Sequence, residues 1–88
     1  MPVTTADIDA AIRSALEPTR LEVHDDSAAH AGHAGAREGR HFSVVIESVR
    51  FDGLSRVARH RLVYHALRSL IPQGIHAIAI DARAPGDT

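Results

Sequence analysis

Eighty-eight residues are enough for one compact domain and too few for two. A composition of 44% hydrophobic and 24% charged residues with three aromatic rings describes a globular chain whose core is built from Ala, Val, Ile and Leu. Cysteine is absent, which excludes disulfides, a thiol nucleophile and thiolate metal ligands from this chain, so any soft-metal chemistry needs sulfur from a partner. The formal charge of -1 hides an asymmetry, because all ten basic residues are Arg and four of them, Arg56, Arg59, Arg61 and Arg68, lie in an acid-free stretch between Ser55 and Ser69.

Ile8, Ala11, Ile12, Ala15 and Leu16 recur at helical spacing, which predicts a helix over Thr5–Leu16. Thr4 and Asp7 have the form of a capping box, and Pro18 ends the element by pushing Glu17 out of helical space. Leu21 and Val23 alternate with Glu22 and His24 as in a short half-buried strand. Residues 25–40 carry Gly, Ala, Ser and charges without an apolar period and read as one long surface loop, a feature often functional in a small domain. A second strand over His41–Ser48 puts Phe42, Val44 and Ile46 on one face and pairs antiparallel with the first.

Phe51-Asp52-Gly53 is turn chemistry, and Ser55 caps a helix expected to run to about Ile71 on a stripe of Ala58, Leu62, Val63, Ala66, Leu67 and Leu70. Val57 falls off that stripe, which leaves room for a separate or distorted first turn, and Arg59 falls within it, which requires either projection beyond the core or a partner. Pro72 and Gly74 close the helix, and Ile75–Ala82 forms the third strand, with His76, Ile78 and Ile80 on one face, before a polar tail containing Pro85 and Gly86. The predicted fold is α+β in the order αββ(α)αβ: one domain over 1–88, its core about 5–84, with a three-stranded mixed sheet covered on one face by helices. Strands two and three, joined through a helix, are free to be parallel. No apolar run is long enough to span a membrane and MPVTTADIDA lacks the features of a leader, so a soluble, cytoplasmic protein is expected.

Leu21-Glu22-Val23 with Asp26-Ser27 and His30, then His41-Phe42, Phe51-Asp52-Gly53, Arg59-His60-Arg61-Leu62-Val63-Tyr64 and Ile75-His76-Ala77-Ile78, resemble the successive signature blocks of the BolA family over about residues 8–85. The resemblance implies a fold similar to the type II KH domain. It also implies a non-enzymatic partner of monothiol glutaredoxins, in which the mixed dimer holds a [2Fe-2S] cluster absent from the isolated chain. Glutaredoxin and glutathione then supply sulfur, and this family's proteins supply a His at the start of the last strand and a loop His or Cys. By position these are His76 and His30, with His33 open as an alternative second ligand. Imidazole in place of thiolate on one iron is known from Rieske centres, and a ligating nitrogen must be unprotonated, so protonation should favour release.

Duller readings stand beside these. His76 in a strand also reads as a partly buried, hydrogen-bonded residue, and His30 as a solvated loop residue. His30 and His33 alone make a weak chelate, since a structural zinc site has four ligands. His24, His41, His60 and His65 read as strand-face or helix-surface residues. Gly32-His33-Ala34-Gly35 has the letters of a KH clamp on nucleic-acid backbone but lies between strands, not between helices. The alternative function is a DNA-binding regulator using a helix-turn-helix-like region around residues 51–71, with Arg56, Arg59 and Arg61 on phosphates; a net charge of -1 weighs against it. A basic stripe also suits docking to an acidic protein or to glutathione. No Cys nucleophile, paired-carboxylate signature at an identifiable site, P-loop or dinucleotide fingerprint points to catalysis or to a small-molecule substrate, and the adjacent Asp25 and Asp26 read as solvated acids at a strand end.

Overall fold

The computed structural model describes residues 3–26 and 40–87. Helix α1 spans Thr5–Leu16, strand β1 Arg20–Asp25, strand β2 Arg40–Glu47, helix α2 Arg56–Ala66 and strand β3 Ile75–Arg83, with single 3-10 turns at Val49–Phe51 and Ile71–Gln73. The sheet order is β1-β2-β3, with β1 antiparallel and β3 parallel to β2. The α+β order and mixed sheet expected from the sequence are therefore present.

Local chemistry explains the boundaries. Thr4 and Asp7 form the reciprocal capping box, each side chain accepting from the other residue's backbone N–H. Glu17 ends α1 in the left-handed region at φ 47°, the geometry of a helix C-terminal cap, with its N–H donating to the Arg13 carbonyl at 3.2 Å, and Pro18 follows. Ser55 Oγ accepts from the Ala58 N–H at 3.1 Å and starts α2 as a regular first turn, so Val57 lies off the stripe because it faces solvent, at 60% exposure, and not because the turn is distorted. Helix α2 stops at Ala66, short of the expected Ile71: Leu67 leaves helical ψ, and Pro72 and Gly74 shape a 3-10 turn instead.

The inner face of the sheet carries Phe42, Val44 and Ile46 from β2, all buried, with Leu21 and Val23 of β1 and Ile78 and Ile80 of β3 beside them. Ile8, Ile12 and Leu16 of α1 and Val63 and Leu67 of α2 close the core over this face. Phe51, completely buried, fills the core from the turn between β2 and α2. Ser48, also completely buried, joins two layers: its hydroxyl donates to the Leu16 carbonyl at 2.7 Å and accepts from the Arg50 N–H at 3.2 Å.

The residues after β3 are more tightly held than a polar tail. Ala84 is buried, its N–H donates to Asp87 Oδ2 at 3.0 Å, and Asp87 in turn receives the Arg59 guanidinium through both carboxylate oxygens, at 2.5 and 3.1 Å. This turn ties the end of the chain back to α2.

Candidate functional site

Three chain segments meet at one end of the sheet. β1 leaves it at Asp25 and Asp26, β2 enters it at Arg40 and His41, and β3 enters it at Ile75 and His76. The backbone fixes their spacing: the Asp26 N–H donates to the His41 carbonyl at 2.7 Å, and the Arg40 N–H to the Gly74 carbonyl at 2.9 Å. Arg40 also pairs with Asp25, Nη1 to Oδ2 at 2.8 Å, across the two antiparallel strands. Gly74 turns the chain into β3 at φ 146°, a conformation that residues with a Cβ rarely adopt.

The register of β3 decides where His76 goes. Arg40 is level with Ile75 but His41 with Ala77, so His76 is the extra residue of a β-bulge. Ile75 and Ile78 are three apart and would face opposite ways in a regular strand; the extra residue lets both face the core, with Ile75 only 7% exposed. His76 consequently does not share the face of Ile78 and Ile80, as strict alternation predicts. It is exposed, and its ring lies 5.1 Å from that of His41, centroid to centroid, at an interplanar angle of 35°. Ala77, level with His41, is too small to come between the rings.

The other expected site residues are distributed as follows. His30 and His33 lie outside the described residues. His76 is at the sheet end, displayed to solvent, and is brought together with His41, which the sequence reading left as a strand-face residue. Parallel pairing of β2 and β3 already implied that their first residues share an end; the bulge that turns the two rings toward each other had no signal of its own. Among the described residues, no three His, Asp or Glu side chains converge as a closed metal cage.

The Arg cluster divides into two kinds. Arg59 is held inside the fold: besides the Asp87 pair, its Nε donates to the Leu54 carbonyl at 3.0 Å and its Nη1 to the Ala82 carbonyl at 3.3 Å, and its side chain is 14% exposed. The Arg59 hydrogen bonds, with the Ala84 N–H, hold the Asp87 carboxyl down at about 2. Arg59 is thus a clamp between α2, β3 and the last turn, and with Asp87 it also lines a groove along the free edge of β3. Arg56 and Arg61 are exposed on α2. Arg56 borders the same groove, of about 460 Å³, together with His60, Asp81 and Arg83. There Arg83 pairs with Asp81 and holds its carboxyl below the usual range, so part of the positive charge is neutralised locally. The groove lies toward the far end of β3 from the imidazole pair.

A mixed three-stranded sheet under two helices, with an exposed imidazole raised on a bulge at the start of the last strand, defines a small α+β domain. The family model for BolA-like protein matches residues 12–87, and the chain belongs to that family. It is 42% identical over 81 residues to the chloroplastic protein BOLA1 of Arabidopsis thaliana, covering 88% of this chain and 51% of that protein. It is 43% identical over 84 residues to BolA-like protein 1 of Mus musculus, covering 96% and 59%. The chain thus spans between half and three fifths of these two relatives. An uncharacterized Sinorhizobium protein encoded in a cobS 5' region is matched more fully, at 40% identity over 94% of this chain and 92% of that one. Among solved structures, the BolA domain of SufE1 from Arabidopsis thaliana superposes with a TM-score of 0.84 at 39% identity, covering 100% of this chain and 99% of that one. BolA1 from the same plant superposes with a TM-score of 0.83 at 38% identity, covering 100% and 98%. No helix among the described residues is long and apolar enough to cross a membrane.

Proposed function

We propose that the chain is a non-enzymatic adaptor that pairs with a monothiol glutaredoxin and lends His76 to a shared [2Fe-2S] cluster, in cluster trafficking, assembly or iron regulation. The observation that carries this reading is the bulge at His76: the fold turns this imidazole away from the core at the start of β3 and leaves it exposed, where a docking protein can reach it. A chain without cysteine has no sulfur to offer, so glutaredoxin and glutathione complete the ligand set. Histidine at one iron would raise the reduction potential relative to an all-cysteine cluster.

Visible circular dichroism of a cluster-loaded monothiol glutaredoxin with glutathione, titrated anaerobically with this chain, tests the proposal. A new mixed-dimer spectrum that His76→Ala abolishes is the expected result. An unchanged spectrum, with no complex on gel filtration, would overturn it.

A second reading, a DNA-binding regulator, draws on the exposed Arg56 and Arg61 beside the groove at β3. Arg59 lines the same groove but directs its guanidinium to Leu54, Ala82 and Asp87, and so small a cluster releases few counterions on binding. That reading requires a sequence-selective, salt-dependent complex weakened by Arg56→Ala or Arg61→Ala.

A further inference from the structure

We infer that His41 is the second nitrogen donor of this chain, forming with His76 a two-imidazole chelate for a transition-metal ion that does not depend on the histidines of residues 27–39. As applied to the shared cluster, the inference rests on the adaptor reading; as a metal site of the isolated chain, it stands separately.

The argument is geometric. Two nitrogens on one tetrahedral ion, each at about 2.0–2.1 Å from it, stand roughly 3.3 Å apart. Ring centroids 5.1 Å apart and tilted by 35° put the two imidazoles at the separation from which two nitrogens can share one ion. Both backbones are held where the rings need them. His41 accepts from the Asp26 N–H through its carbonyl, and its neighbour Arg40 donates to Gly74, so β1, β2 and the entry to β3 are laced together around it. His76 is positioned by the bulge that Ile75 and Ile78 impose through core packing. A chelate on adjoining sheet strands, with both backbones already held by hydrogen bonds, loses little freedom on binding metal. Neutral imidazole suits Zn²⁺, Cu²⁺, Ni²⁺ and iron alike, so Zn²⁺ is a usable diamagnetic probe for the same donor pair.

The experiment is a titration of the ¹⁵N-labelled chain with Zn²⁺ alone, read from two-bond ¹H–¹⁵N correlations of the imidazoles, on the full chain and on His30→Ala/His33→Ala. The expected result is that His41 and His76 ring nitrogens shift together in both proteins and saturate with one equivalent in the doubly substituted one. His41→Gln or His76→Ala in that background should then weaken Zn²⁺ binding on the order of tenfold or more, at least as much as removing an outer-shell partner does. Far-ultraviolet dichroism confirms folding of each variant, and the wild-type shifts answer the question without any substitution at His41. Movement of His76 without His41, or of His30 and His33 alone, would overturn the inference. The glutaredoxin titration separates the two claims. Joint Zn²⁺ shifts without a mixed dimer defeat the adaptor reading and leave the chelate standing. A mixed dimer whose spectrum is unchanged by His41→Gln, in a chain whose His41 ignores Zn²⁺, defeats the chelate and leaves the adaptor.

Discussion

Ser48→Ala should destabilise the fold by about 1–3 kcal/mol without affecting the proposed chelate of His41 and His76. The Ser48 hydroxyl is completely buried and holds two backbone groups at once, the carbonyl of Leu16 and the N–H of Arg50. The Leu16 carbonyl is one of the last four of α1, which have no partner within the helix, so Ser48 supplies across 32 residues what the helix lacks. Alanine removes one oxygen and leaves almost no cavity, so the loss is nearly all unsatisfied hydrogen bonding, for which about 1–3 kcal/mol per stranded buried group is the expected range. Taking 2 kcal/mol, the melting temperature should fall by roughly 8–16 °C for a domain of this size. Urea unfolding followed by circular dichroism should show a lower midpoint at unchanged slope. Ser48 follows the far end of β2 from His41, seven residues or about 23 Å along the strand, so Zn²⁺ shifts at His41 and His76 should persist in the folded variant. A loss below about 0.5 kcal/mol would show that water replaces the hydroxyl and would refute the view that Ser48 couples α1 to the sheet.

Asp87 is held at about 2 against 3.8 in its ordinary state by Arg59 and the Ala84 N–H. Because the folded value lies below the unfolded one, its stabilisation is complete above about pH 4 and is lost as pH falls toward 2, where the unfolded chain takes up a proton the native chain refuses. Asp87→Asn should therefore flatten the acid limb of the stability profile between pH 4 and 2 while lowering stability at pH 7; an acid limb of unchanged slope would refute the latch. Glu17→Gly should stabilise the protein by about 0.5–1 kcal/mol, since φ 47° strains a residue with a Cβ. The lost pair with Arg50, on a largely exposed side chain, contributes little against that gain, and a lower urea midpoint for Glu17→Gly would contradict this account.

The elements whose chemistry is local were legible in the order of residues. The capping box at Thr4 and Asp7, the cap at Ser55, the alternation of Phe42, Val44 and Ile46 and the halt at Pro18 each depend on neighbours a few positions away, and each is where the pattern put it. The absence of cysteine is equally legible, and it excludes disulfides and thiolate ligands from this chain. Arg59, out of place on an apolar stripe, signalled that it needed a partner, but nothing near it in sequence named Asp87, 28 residues on. Helix α2 stopped early because the turn through Leu67–Gly74 must deliver Ile75 to the core, a demand that helical periodicity does not contain. The site depended on that delivery. Alternation alone placed His76 with Ile78 and Ile80; packing Ile75 and Ile78 against the same core forced one extra residue into β3, expelled His76 and set its ring beside His41. Which residues are apolar is written in the chain, but which of two competing registers buries more of them is decided only when β2 and β3 lie side by side, because burial is a property of the packed layers and not of either strand.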